Sequence, residues 1–190
     1  MLNSVDALDR AIAQARADQG PKDKLAVVGF VLVELYDERG RLKHSQIQPN
    51  LITDVGDEYY AKKGSGTAIN TVTGMRLGTG STAVAKNGAG AAIVTYSAGT
   101  TSSKAIDATF PSAATKGAGL GWRITWKTTW NAGEATINSL AEVVMTNETP
   151  LTDVAGTAAN TIARALLSPV VNKGANDTLS ITWQHDFLGA

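Results

Sequence analysis

Two segments of the sequence alternate between apolar and polar residues with a period of two, and this pattern constrains the fold more than any other feature. In residues 122–130 one face carries Trp122, Ile124, Trp126, Thr128 and Trp130. In residues 178–187 one face carries Leu179, Ile181, Trp183, His185 and Phe187. A period of two is typical of a β-strand with one buried face and one solvated face. Both segments are therefore predicted to be half-buried strands.

All four tryptophans of the chain lie in these two segments. A buried indole removes more apolar area from water than most side chains do. Because the first run alternates with Arg, Thr and Lys, its polar side is expected to face water and its indoles to face inward. The predicted core therefore centres on Trp122, Trp126, Trp130 and Trp183. An outward-facing row of indoles would instead be a platform on which sugar rings could stack.

Further strands are predicted between turn-forming residues. Residues 25–36 are almost continuously apolar and rich in valine, which favours a central strand. The polar residues 41–48 suit an edge strand. Shorter strands are predicted at residues 71–77, 105–110, 137–146 and 161–167. Residues 112–121 are expected to be a flexible connector, and Ser168-Pro169 is expected to turn the chain.

The number of short strands with turns between them indicates a mainly β fold, an antiparallel, jelly-roll-like β-sandwich. One short internal helix is predicted at residues 55–63, with Thr53 or Asp54 as its N-cap. The domain organisation predicted is an N-terminal helical arm and linker, residues 1–24, followed by a β-sandwich domain, residues 25–190.

The arm carries the clearest helical pattern of the sequence, at residues 4–18. Val5, Leu8 and Ile12 fall on one face at helical spacing, and Gly20-Pro21 ends the helix. A single helix of this length is only marginally stable in water, so it needs a surface on which to pack. That surface is either the chain's own sheet or a neighbouring subunit. Val5, Leu8 and Ile12 are therefore candidate interface residues.

Charge and composition argue against several classes of partner. The chain has 17 basic and 17 acidic residues, so electrostatic capture of nucleic acid or of an anionic membrane is not expected. It has no cysteine, which excludes disulfides, thiolate metal sites and cysteine nucleophiles. Its N-terminus lacks the apolar region of a secretory signal, and no apolar run is long enough to span a bilayer. We therefore expect synthesis in the cytoplasm without Sec-type export.

The glycine-rich residues 78–83 are similar to a phosphate-binding loop only superficially. Nucleotide-binding loops require a preceding strand and a following helix, and the P-loop also ends in Gly-Lys-Ser/Thr. Here no Lys-Ser/Thr follows the glycines, and no helical pattern begins after them. A turn that requires positive φ is predicted instead.

The polar residues of the predicted strands do not form a recognisable reactive group. His44 and His185 are the two histidines, and they lack the converging partners of a metal site or a catalytic triad. His185 lies on the apolar side of its strand and is predicted to be structural. Glu142 is predicted to be a residue of the solvated face or an ion-pair partner of Arg164 or Arg123. We expect no catalytic, cofactor-binding or metal-binding residues, and no enzymatic activity.

Several turn and strand motifs resemble those of small β-rich virion proteins of tailed bacteriophages. The matching segments are residues 50–53, 75–83, 131–135, 142–143, 164–169, 172–174 and 177–183. They cover most of the β domain but not the helical pattern at residues 4–18. Proteins of this group are variously capsid decoration (cement), head-fibre or tail proteins, and the shared motifs carry no chemistry.

The resemblance implies a non-enzymatic virion protein that is assembled in the host cytoplasm. The first expectation is a capsid decoration protein that binds between subunits of the major capsid protein and stabilises the head. It would act as a homo-oligomer, for example a trimer, with Val5, Leu8 and Ile12 as its anchoring face. The alternatives are a tail, fibre or head-tail adaptor subunit and, more remotely, a glycan-binding module. Neither nucleic acid nor membrane is expected as a partner.

Overall fold

The computed structural model describes residues 26–118 and 120–188, over which the chain forms two antiparallel sheets of five strands each. The strands are β1 (Ala26–Tyr36), β2 (Leu42–Pro49), β3 (Leu51–Ile52), β4 (Gly74–Gly78), β5 (Ser103–Ala105), β6 (Ser112–Thr115), β7 (Trp122–Trp130), β8 (Ile137–Thr146), β9 (Thr161–Lys173) and β10 (Thr178–Leu188). Sheet A has the order β2-β1-β10-β7-β6, and sheet B has the order β3-β9-β8-β4-β5. The predicted mainly β fold, an antiparallel sandwich, is confirmed. The predicted arm with Val5, Leu8 and Ile12 lies outside the described residues.

The core lies between the two sheets and is centred on three indoles. Trp126 and Trp183 are directly opposite each other in the ladder of β7 and β10, and Trp130 is opposite Leu179. All three tryptophans are at most 2% exposed. From sheet B, Met145 and other apolar side chains of β4, β8 and β9 complete the same cluster. Three of the four predicted core tryptophans are therefore confirmed.

The prediction that Trp122 belongs to the core is wrong, because 58% of its surface is exposed. Burial decreases steadily toward the start of β7: Trp126 is buried, Ile124 is half-buried and Trp122 is exposed. The alternating pattern correctly assigns Trp122 to the inner face of the strand. It does not show that the strand extends beyond the end of the core.

Several predicted boundaries also need correction. The strand expected at residues 105–110 is β5, which ends at Ala105 and is followed by a turn. The expected connector at residues 112–121 contains β6, the edge strand of sheet A. Ser168-Pro169 does not end a strand but lies within β9, where the pairing with β8 shifts. Proline cannot donate to the strand ladder, so a bulge is a place in which a strand can accommodate it.

Among the described residues, the α-helix α1 (Asp54–Ser65) follows β3 and packs on β9. The Thr53 hydroxyl accepts a hydrogen bond from the Gly56 N–H at 3.1 Å, which confirms Thr53 as the N-cap. A Cβ at Gly56 would lie 2.2 Å from the carbonyl oxygen of Ile162, so only glycine allows the helix this close to β9. The helix thereby reaches the end of the core near His185.

Candidate interaction surface

Two long loops cover the outer face of sheet B and form a third layer of the molecule. We call this third layer, residues 79–102 and 147–160, the loop layer. Arg76 and Arg164 point away from the core, because their neighbours Leu77 and Ala165 point into it. Both arginines nevertheless have no more than 1% of their surface exposed. Each is the centre of a polar cluster that attaches the loop layer to the sheet.

The first cluster is the ion pair of Glu142 on β8 and Arg164 on β9. The Arg164 Nε and Nη2 atoms donate to Glu142 Oε2 at 3.1 and 2.8 Å, and both side chains are fully buried. The predicted pairing of Glu142 with Arg164 is confirmed, whereas a position on a solvated face is wrong. A buried ion pair is tolerated only when hydrogen bonds compensate both charges for the loss of water. Here the backbone of the loop layer supplies some of these hydrogen bonds.

The pair holds the loop layer through backbone groups on both sides. The Glu142 carboxylate accepts hydrogen bonds from the N–H groups of Gly80 (2.9 Å), Val94 (3.0 Å) and Thr95 (2.7 Å), and Arg164 donates to the carbonyls of Thr82 (2.8 Å) and Gly90 (3.1 Å). A Cβ on Gly80 would lie 2.4 Å from Glu142 Oε1. The glycine-rich residues 78–83 thus have a structural role, as predicted. Glycine is required at position 80 because the Glu142 carboxylate lies close to it, and not because of a positive φ.

The second cluster is built around Arg76 on β4. Its guanidinium pairs with Glu148 and donates to the carbonyl oxygen of Thr152 at 3.2 Å. Burial lowers the pKa of Arg76. Beside it, the Tyr96 hydroxyl donates to Asp153, and burial together with this hydrogen bond raises the pKa of Tyr96 to about 12. These contacts join residues 147–160 to residues 79–102 and to the sheet.

The solvent side of the loop layer consists mainly of small, uncharged residues. Its sequence contains three charged residues, Lys86, Glu148 and Asp153. Glu148 and Asp153 are both engaged in the second cluster, and Lys86 pairs with Asp57 of α1. Large apolar side chains are exposed at Val84 (37%), Val94 (41%) and Val154 (54%). An ordered surface with few charges and exposed valines is suited to contact with another protein.

His185 belongs to a separate buried network at the junction of α1 and sheet A. Its Nε2 accepts hydrogen bonds from Trp183 Nε1 at 3.0 Å and from Asn50 Nδ2 at 3.1 Å, and its Nδ1 contacts the Tyr60 hydroxyl. Since an indole N–H can only donate, the proton of the neutral ring lies on Nδ1 and is donated to Tyr60. Burial lowers the pKa of His185 to about 3. The predicted structural role of His185 is confirmed.

A shallow cavity of about 630 Å³ lies at the end of the sandwich where the turns after β1, β7 and β9 meet. Tyr36, Glu38 and Asn176 contribute to its lining. Its Asp37 carboxylate accepts hydrogen bonds from the backbone of Arg39 and Arg41, and it therefore serves the turn. The tryptophans on which a sugar platform would depend lie elsewhere, and three of them are buried.

Within residues 26–118 and 120–188, no group of three or more His, Asp or Glu side chains could hold a metal ion. The part of the chain that the structure describes has no helix of sufficient length and apolarity to cross a membrane. Comparison with models of known protein families found no match, and comparisons with curated proteins and with solved structures found none either.

Proposed function

We propose that this chain is a non-enzymatic structural subunit of a tailed-phage virion and, within it, a capsid decoration (cement) protein. The observation that supports this proposal is the loop layer, an ordered surface with few charges and exposed valines that ion pairs beneath it hold in place. The partner is the major capsid protein, and the protein itself acts as a homo-oligomer. The resemblance of its turn and strand motifs to small virion proteins supports the same assignment.

The mechanism that we propose is the addition of many modest interfaces. The backbone of residues 80–95 is held by hydrogen bonds to Glu142 and Arg164, so little conformational entropy remains to be lost when a partner binds. Each copy would cover surface on two or more capsid subunits. The symmetry of the shell then repeats this interface many times, which stabilises the head against internal pressure.

The copy number per particle tests this proposal against its main alternative. In purified particles of the phage that encodes the chain, a decoration protein is expected at a level comparable with the major capsid protein, at hundreds of copies. A tail, fibre or head-tail adaptor subunit is expected at about a dozen copies or fewer, because these assemblies have low closed symmetry. Quantitative staining against the major capsid band measures the ratio, and a low ratio would assign the chain to the tail or connector.

A further inference from the structure

The outer face of sheet A, which points away from sheet B, carries an apolar row along β1. Val31 and Val33 face the core, so Phe30 and Leu32 lie on the opposite face. Phe30 is nevertheless only 7% exposed, and Leu32 is half-buried. A phenylalanine on the outside of a sandwich is expected to be far more exposed than this unless a further layer packs against it.

Two polar atoms on the same face support the presence of such a layer. Gln184 is directly opposite Phe30 in the ladder of β1 and β10, and Ser180 lies four residues earlier on the same side. Gln184 Oε1 and Ser180 Oγ are both buried, and neither has a hydrogen-bond partner among the described residues. Buried polar atoms normally have partners, so these two atoms are a second indication that a further layer packs on this face.

We propose that the occupant of this face is the segment at residues 4–18 of the same chain, packed through Val5, Leu8 and Ile12. The described chain begins at Ala26, the first residue of β1, on which the apolar row lies. In a helix, Val5 and Ile12 are about 10 Å apart along the axis. The row from Val28 to Leu32 is about 13 Å long at the rise of a strand, so the two apolar surfaces match in length.

The length of the linker favours the chain's own arm over the arm of a second copy. Residues 19–25 span at most about 23 Å when extended, which suffices to return the arm across a sheet whose strands are about 4.8 Å apart. A short linker also gives the chain's own arm an effective concentration in the millimolar range at this face, which the arm of a second copy would have to exceed. Asp9 borders the apolar stripe in helical projection, and Lys127 lies on the outer row of β7. Opposite charges at these two positions would favour docking of the arm on this face.

Cross-linking tests the proposal cleanly because the chain has no cysteine of its own. A variant with Ile12→Cys and Leu32→Cys is treated with a short thiol-reactive cross-linker. The matched control combines Gln14→Cys, on the opposite side of the predicted helix, with Leu32→Cys. We expect a cross-link within one chain that forms about tenfold faster in the first variant, because docking would hold residue 12 against β1 and turn residue 14 away, whereas the tether gives both the same effective concentration. Equal rates in the two variants would overturn the proposal.

Exchange between copies and stability give two further readouts. Mixing a protein that carries only Ile12→Cys with one that carries only Leu32→Cys should give no rapid dimer, and a rapid cross-linked dimer would assign the arm to a second copy. Leu8→Asp with Ile12→Asp should lower the melting temperature of the isolated protein by about 5–10 °C, whereas Gln14→Asp should not. An unchanged melting temperature would contradict the proposal and leave the stripe free for a capsid partner.

Discussion

Trp122 and Trp126 lie on the same face of β7 but in different environments. Trp126 is 2% exposed and Trp122 is 58% exposed. Replacing a buried tryptophan with alanine removes its burial and leaves a cavity, so we expect Trp126→Ala to lower the free energy of unfolding by about 3–5 kcal/mol. Trp122→Ala should change it by less than about 1 kcal/mol. Urea denaturation of both variants measures the difference, and similar losses would show that Trp122 is covered in solution.

His185 should make the protein sensitive to moderate acid. In the folded protein burial lowers the pKa of His185 from 6.5 to about 3. As the pH falls below 6.5, the unfolded chain binds a proton at this position that the folded chain does not bind. The free energy of unfolding should therefore decrease toward pH 3, with a slope of up to about 1.4 kcal/mol per pH unit.

Denaturation between pH 6 and pH 4.5 measures this slope. The variant His185→Gln keeps a hydrogen-bonding side chain but cannot titrate in that range, so its slope should be smaller. His44→Gln, which removes the other histidine and leaves His185 in place, is the matched control and should keep the slope. Asp186 adds a smaller slope of the same sign, which begins near the lower end of this range and is present in every variant. Burial opposes its ionisation, but hydrogen bonds from Arg123 and Lys116 lower its pKa below 3.8. If His185→Gln kept the full slope, another group would be responsible for the acid sensitivity.

At the scale of whole elements, the loop layer depends on the ion pair beneath it. Glu142→Gln would leave Arg164 as a buried charge without its counter-charge, which costs about 3–5 kcal/mol. Because the Glu142 carboxylate also binds the backbone N–H groups of Gly80, Val94 and Thr95, the loop should loosen as well. Trypsin should therefore cleave after Lys86 sooner than in the unmodified protein.

The control for this substitution is Glu38→Gln, the same change at a carboxylate of an exposed turn. It should leave both the urea midpoint and the rate of cleavage after Lys86 unchanged. If Glu142→Gln lowered stability without accelerating that cleavage, the ion pair would stabilise the sheet but would not hold the loop layer.

The sequence predicted best those strands that carry many buried apolar residues. Residues 137–146 and 178–187 match β8 and β10 closely, since their periodicity or apolar content reflects direct contact with the core. β6 was not predicted, because its residues Ser112–Thr115 are all exposed on an edge and carry no apolar signal. The continuation of β9 past Pro169 was missed because a proline in a bulge and a proline in a turn look alike in sequence.

The loop layer could be predicted only in part. The length and composition of its segments are typical of ordered loops with a function. The position of these loops over sheet B depends on Glu142 and Arg164. These two charged residues are separated by 21 others in the sequence and meet only because β8 pairs with β9. Each of the two lies among apolar residues in the sequence, which indicates that its side chain is buried. This local pattern does not show which backbone groups form hydrogen bonds with the buried charge.

The whole molecule thus presents different surfaces on its two sheets. The outer face of sheet B is closed by the loop layer, whose exposed side chains include Val94 and Val154. If this layer contacts the capsid, Val94→Asp together with Val154→Asp should weaken binding at least about a hundredfold, since each carboxylate would be desolvated at an apolar interface. Both side chains point to solvent, so the free energy of unfolding should change by less than about 1 kcal/mol.

Leu42→Asp supplies the matched control, because Leu42 is 55% exposed but lies on β2 at the edge of sheet A. Particles that lack the protein are incubated with each purified variant, and the bound fraction is measured after sedimentation. The loop layer is the capsid-facing surface only if the double valine variant loses binding while Leu42→Asp keeps it. The reverse result would place the contact at the edge of sheet A, where β2 is the outermost of the described strands and could extend a neighbouring sheet.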